Sequence, residues 1–160
     1  MKRIFMRSLL ISIFIVLITS SLTFAQQNDK DLVLKQIETL FDGMRAGDSS
    51  AVASVFVKDA SMHSIFKNQE GETILNPGSL TSFKNAVGTP HDQVWDERVA
   101  NIKIYIDGDM AVAWVPYSFY AGDNFSHCGV NSFQFMRTKT GWKSISIVDT
   151  RRRTNCAEDL

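Results

Sequence analysis

The sequence predicts an α+β domain whose helices come first and pack on an antiparallel sheet. Three observations carry this. Apolar residues recur at helical spacing from Leu32 to Phe56, and after Trp95 they alternate with polar ones. Turn residues at Asp107-Gly108 and Thr138-Lys-Thr-Gly141 cut that second region into strands. Helices segregated from strands along the chain define the α+β class.

In order, the N-terminus carries Lys2, Arg3 and Arg7, an apolar run from Leu9 to Ile18, and a small residue at Ala25. These are the parts of a cleavable secretion signal, expected to span residues 1–25. A run of about ten apolar residues is too short to cross a bilayer, which needs roughly 20. No Cys follows the run, which excludes a lipid anchor at the cleavage site. Residues 26–160 then form the working domain, a length that suits one core and not two.

Loss of the signal removes three basic residues and no acid, leaving 14 basic against 17 acidic, about −3. That balance implies neither nucleic acid nor a membrane surface as a partner. The three histidines are scattered without metal-site spacing, so neither metal nor cofactor is expected. Export to a periplasmic or extracellular compartment makes a disulfide between Cys128 and Cys156 the favoured reading over two free thiols. It requires the C-terminal tail to turn back toward the sheet.

Leu32, Leu34, Ile37, Leu40, Phe41 and Met44 give an amphipathic helix from Asp29 that Gly47 ends. Asp48 caps a second, shorter helix through Val52, Val55 and Phe56. Lys58-Asp59 breaks it, and Ala60–Phe66 reads as a strand. The stretch 68–78 reads as loop, and Ser79–Val87 as a third helix before Gly88. Strands are expected at Val99–Ile106, Asp109–Tyr120, Ser126–Arg137 and Trp142–Arg152, joined as a meander.

Hairpin turns set register and side chains alternate faces, so this meander can be aligned. A two-residue Asp107-Gly108 loop opposes Ile106 to Asp109, Ile104 to Ala111 and Arg98 to Tyr117. The next pairs are Tyr117 with Gly129, Val115 with Asn131 and Asn131 with Asp149. One face then carries Ile102, Ile104, Ala111, Ala113, Phe133, Phe135, Ile145 and Ile147 at one end. At its other end it carries Arg98, Tyr117, His127, Asn131, Asp149 and Arg151. The apolar end belongs under the helices, and the polar end should line a cavity.

The helix–helix–strand–helix–meander order resembles the nuclear transport factor 2-like superfamily. So do Gly47-Asp48 and Lys58-Asp-Ala-Ser61 at the entry to the first strand. The stretches Trp95-Asp-Glu-Arg98, Trp114-Val-Pro-Tyr117, Phe125–Phe133 and Trp142-Lys…Asp149-Thr-Arg-Arg-Arg153 resemble exported bacterial members of its "putative lumazine-binding" branch. The resemblance covers residues 29–156. It implies a cone-shaped, cystatin-like fold, with three N-terminal helices on a curved antiparallel sheet and one pocket. The superfamily holds isomerase-like, dehydratase-like and cyclase-like enzymes besides binding modules, so fold does not settle function. Steroid isomerase chemistry fits poorly: a carboxylate is wanted near the end of the first strand, where this chain has His63-Ser64, and the first helix has no Tyr.

His127 and Asp149 share a face on neighbouring strands and are candidates for an acid–base pair. The alternative is that Asp149 pairs with Arg151 or Arg98 while His127 hydrogen-bonds at the rim. Arg98, Arg151 and Arg153 could clamp an anionic or carbonyl-bearing ligand, or instead form salt bridges with Asp96, Glu97 and Asp149. Tyr117, Trp95 and Phe119 could stack on a flat ligand or simply pack the core. Asn131 and His63 complete the expected ligand contacts. Val112 and Trp114 alternate to the opposite sheet face, which favours a sheet-to-sheet homodimer. The functional expectation is an exported small-molecule-binding domain, set against a pocket enzyme of dehydratase, isomerase or cyclase type using His127 and Asp149.

Overall fold

Helix α1 covers 27–46 in the computed structural model, which describes residues 27–157. The secretion signal expected at 1–25 therefore lies outside the described residues. Asp29 near the start of α1 takes both terminal nitrogens of Arg137, at 2.8 and 2.5 Å. The Arg137 guanidinium also lies over the Trp142 ring, 4.4 Å from its centroid. This fastens the helix to the sheet. The buried stripe of α1 is Val33, Ile37, Leu40, Phe41 and Met44. Leu32 is instead exposed and Leu34 half-buried. At 100° per residue, Val33 continues the Ile37–Leu40–Met44 stripe and its neighbours fall to either side.

Gly47 adopts a φ of 68°, a left-handed turn that closes α1. Asp48 caps α2 (Ser49–Val55) as expected, accepting from the backbone N–H of Ser50 at 2.9 Å and of Ala51 at 3.0 Å. Phe56 is already extended and opens β1 (Phe56–Lys67), so the strand starts four residues before Ala60. Pairing with another strand overrides the weak strand propensity of Lys58-Asp59.

The segment expected to be a loop contains β2 (Thr73–Ser79), antiparallel to β1. Asn76-Pro77-Gly78 disguises it in the sequence. Because β2 is an edge strand, a Pro is tolerated within it, since one side of an edge strand has no ladder to lose. Ser79 caps α3 (Leu80–Gly88), its hydroxyl accepting from Ser82 N–H at 3.0 Å.

The expected first meander strand is two strands, β3 (Trp95–Val99) and β4 (Lys103–Asp107), both antiparallel to β5 (Met110–Ala121). They are separated at Asn101, whose φ is 54°. Strands β6 (Asn124–Thr138) and β7 (Gly141–Thr150) follow. The sheet order is β2-β1-β7-β6-β5-β3, with β4 also on β5. Because β1 runs parallel to β7, the curved, open sheet is mixed rather than wholly antiparallel.

Along the middle of the strands the β5–β6 and β6–β7 registers match the sequence alignment, with Tyr117 opposite Gly129, Val115 opposite Asn131 and Asn131 opposite Asp149. Tyr120, expected opposite Ser126, instead pairs with Phe125 across a bulge after Phe119. Three further departures follow. The first hairpin pairs Asp107 with Met110, two residues from the expected register, and an even step leaves every side chain on its face. A bulge between Gln134 and Phe135 puts Phe135 opposite Ser144, so Trp142 and Ser144 are buried there and Ile145 only partly. Finally, β3 pairs Arg98 with Ser118 rather than Tyr117, an odd step that turns Arg98 outward and Glu97 inward.

The core joins the α1 stripe, Val52 and Val55 of α2 and Val87 of α3 to Ala111, Ala113, Val115, Phe133, Phe135 and Trp142 on the sheet. Cys128 and Cys156 are bridged, with Cα atoms 5.7 Å apart. Backbone hydrogen bonds between Cys128 and Arg152, at 2.8 and 2.9 Å, turn the tail across β6 as the bridge requires. Among the described residues, no helix is long and apolar enough to cross a membrane.

Candidate ligand-binding cavity

Past the packed end of the sheet, the inner face opens on a cavity of about 460 Å³. Leu40, Phe41 and Met44 of α1 and Phe83 of α3 form one wall. Met62 of β1, Trp95 of β3, Phe119 of β5 and Ile147 of β7 form the apolar part of the other. Trp95 meets Phe119 edge-on, with centroids 6.2 Å apart, and stacks on His91 at 4.7 Å.

The polar groups converge at the sheet end, supplied by five strands, β1, β3, β5, β6 and β7. Asp149 is buried and accepts from Ser64 Oγ at 2.5 Å, from Tyr117 Oη at 3.3 Å and from Arg151 Nε at 2.7 Å. Tyr117 also donates to the Thr150 carbonyl at 3.0 Å. Burial, and then the charges of Asp149 and Glu97, push the Tyr117 phenol far above its ordinary range, so it remains a donor. Its ring crosses Gly129, where an added Cβ would sit 1.7 Å from the Thr150 oxygen and 2.9 Å from Tyr117 Cε1. Only glycine fits that crossing.

Glu97 is the second carboxylate. It is 9% exposed, and its Oε1 accepts from Asn131 Nδ2 at 2.6 Å. Burial pushes its pKa up to about 7; the Asn131 bond lowers it and the Asp149 charge raises it. No cation is ion-paired to Glu97 among the described residues.

The expected site residues divide on this geometry. Tyr117, Asn131, Asp149, Arg151, His127 and Trp95 all line the cavity. His63 borders it from β1, but its neighbours Met62 and Ser64 share the face of Ile147 and Asp149, and Ser64 makes the hydrogen bond. No hydrogen bond joins His127 to Asp149 among the described residues. Its Nδ1 pairs with Ser126 Oγ at 3.0 Å, and its ring meets Tyr117 edge-on at 5.7 Å. Burial, then the positive charge of Arg151, lowers its pKa and favours neutral imidazole.

Arg98 is outside the cavity, on the opposite face, where it pairs with Asp96 at 2.8 Å and lies 4.0 Å above the Tyr120 ring. The salt-bridge alternative therefore describes Arg98, and for Asp149 it describes Arg151. Sequence reasoning missed Glu97 and Ser64 as cavity groups. A signal for Glu97 existed: it alternates in step with Trp95 and Val99, the two apolar residues of β3. No group of three or more His, Cys, Asp or Glu side chains among the described residues is arranged to hold a metal ion.

A family model described as "Putative lumazine-binding" matches residues 28–148. The chain belongs to that family. It has the nuclear transport factor 2-like, cystatin-like fold of several solved structures. One from Novosphingobium aromaticivorans is 12% identical and aligns over 84% of this chain and 89% of that one, with a TM-score of 0.67. One from Silicibacter pomeroyi, of unknown function, is 19% identical over 79% and 98%, with a TM-score of 0.60. A third, from Streptomyces avermitilis and described as a "putative dehydratase", is 15% identical over 79% and 98%, with a TM-score of 0.61. Identities this low speak for the fold alone. No curated protein matches the chain.

Proposed function

We propose that this chain is exported, loses residues 1–25 and works as a small-molecule-binding domain without catalysis of its own. The observation that carries the reading is the cavity: about 460 Å³ with apolar and aromatic walls and a few converging polar groups, the usual make-up of a ligand site. Trp95 and Phe119 offer flat faces, and Tyr117, Asn131, Arg151 and Glu97 offer hydrogen bonds, with His63 at the border. The family description favours a flat heteroaromatic ligand. The disulfide is in keeping with an oxidising compartment.

The outer sheet face supports the homodimer. Tyr105, Met110, Trp114 and Met136 stand 42–64% exposed there, on adjacent strands. A second copy would cover them.

One observation favours the enzyme reading: a buried carboxylate with a pKa of about 7 borders the cavity. In that reading Glu97 carries the proton, since His127 lacks the carboxylate partner that a His–Asp pair needs.

The test is a thermal-shift screen of small heteroaromatic compounds on the mature protein, beside Arg151→Ala and His127→Ala. A hit whose shift is lost in Arg151→Ala and kept in His127→Ala supports the binding reading. Conversion of the hit, abolished in Glu97→Gln, supports the enzyme. A library that shifts nothing sinks the pocket reading.

A further inference from the structure

The charges around the cavity do not balance. Three lining residues carry formal charge: Glu97, Asp149 and Arg151. Asp149 and Arg151 neutralise each other across 2.7 Å, and Ser64 and Tyr117 occupy the carboxylate further. Glu97 has one oxygen held by Asn131; its other oxygen has no hydrogen-bond partner among the described residues. The nearby arginines Arg45 and Arg98 are committed to Asp96, which alternates to the other face of β3. A buried carboxylate without a counter-ion is unfavourable unless it takes up a proton or meets a cation.

Resting on the pocket reading above, we propose that the cavity selects a cationic nitrogen, a protonated amine or amidinium on a flat apolar body, with Glu97 as its counter-ion. The body would lie between Phe41 and Phe83 on one side and Trp95 and Phe119 on the other, all of which line the space. An anionic ligand would meet two carboxylates against a single guanidinium. A neutral ligand could bond to Glu97 but would leave its charge unmatched.

Proton and ligand cation compete for the same carboxylate, so binding is coupled to pH. The groups facing this region are Asp149 from β7 and Arg151 just past its end, Tyr117 from β5, His127 from β6 and His63 from β1. Tyr117 stays protonated throughout. The two histidines are separated from Glu97 by running the same titration on Glu97→Gln, which keeps the side-chain oxygen that Asn131 bonds.

Three probes of one shape and different charge make the test: tryptamine, tryptophol and indole-3-acetate, titrated calorimetrically into the mature protein at pH 8 and pH 5.5. At pH 8 tryptamine should bind about tenfold or more tighter than tryptophol, as expected for a hydrogen bond to a charged group. That margin should shrink at pH 5.5 and vanish in Glu97→Gln, with tryptophol unchanged. Equal binding of amine and alcohol, tighter binding of the acetate, or a margin that survives in Glu97→Gln overturns the proposal and leaves the pocket reading standing. So does failure of all three probes when other screened compounds bind. If no compound of any charge binds, the pocket reading falls and this proposal with it.

Discussion

The two ends of the inner sheet face are made by the same strands and behave oppositely. At the packed end, Ala111, Ala113, Phe133 and Phe135 are at most 2% exposed and share one apolar core with the helices. Further along β5, β6 and the neighbouring β7, Tyr117, Asn131 and Asp149 are buried too, yet each is held by a hydrogen bond. The packed end derives its stability from burial. The cavity end holds a carboxylate without a counter-ion, and stability is given up there to keep a polar space open.

The largest effect should come from the packed end. Phe133→Ala removes a fully buried ring and should lower unfolding free energy by roughly 3–5 kcal/mol in urea titrations. A smaller loss would mean that the core collapses around the gap.

The disulfide braces the other end, since Arg152 pairs with Cys128 directly after Arg151. Replacing Cys128 and Cys156 by Ala should cost about 3.6 kcal/mol for a closed loop spanning 28 residues. It should also weaken ligand binding, which Phe133→Ala should spare once allowance is made for unfolded protein.

Glu97 gives the comparison its sign. The folded protein holds this proton up to about pH 7, against an ordinary carboxyl value of 4.5. The group's contribution is therefore most favourable below pH 4.5, declines as pH rises to about 7 and is level above that. The decline corresponds to roughly 3 kcal/mol. Glu97→Gln should remove that slope and be the more stable protein at pH 8 by about 2–3 kcal/mol, seen in chemical denaturation at several pH values. An unchanged slope would place the strain elsewhere.

The outer face should respond least. Trp114→Lys on that 51% exposed position should change monomer stability by less than about 0.5 kcal/mol. It should nonetheless shift sedimentation from dimer to monomer. Wild-type protein that sediments as a monomer would remove the proposed interface.

Much of this was legible in the chain. Gly47 and Asp48 mark the α1–α2 junction because a left-handed turn and an N-cap are local demands met by local residues. Asn131 could be aligned with Asp149, and Tyr117 with Gly129, because hairpin turns and period-2 alternation carry register between neighbouring strands. That alignment brings most of the cavity's polar residues to one face from the chain alone. It failed at β3, where the break at Asn101 changed parity and exchanged Arg98 for Glu97. It failed also at β2, whose Asn-Pro-Gly composition is strand-compatible only at a sheet edge.

The sequence by itself thus determined the class, the capped helices, the meander and the faces of its long strands. Tertiary structure alone decided that β1 pairs parallel with β7, which brings Ser64 to Asp149 across 85 positions of chain. It also decided that Gly129 must lack a side chain, and that Glu97, not Arg98, faces the cavity. The physical reason is the range of the forces. Turns, caps and alternation act between residues close in sequence, whereas parallel pairing, close crossings and an unpaired buried charge exist only once distant segments have met.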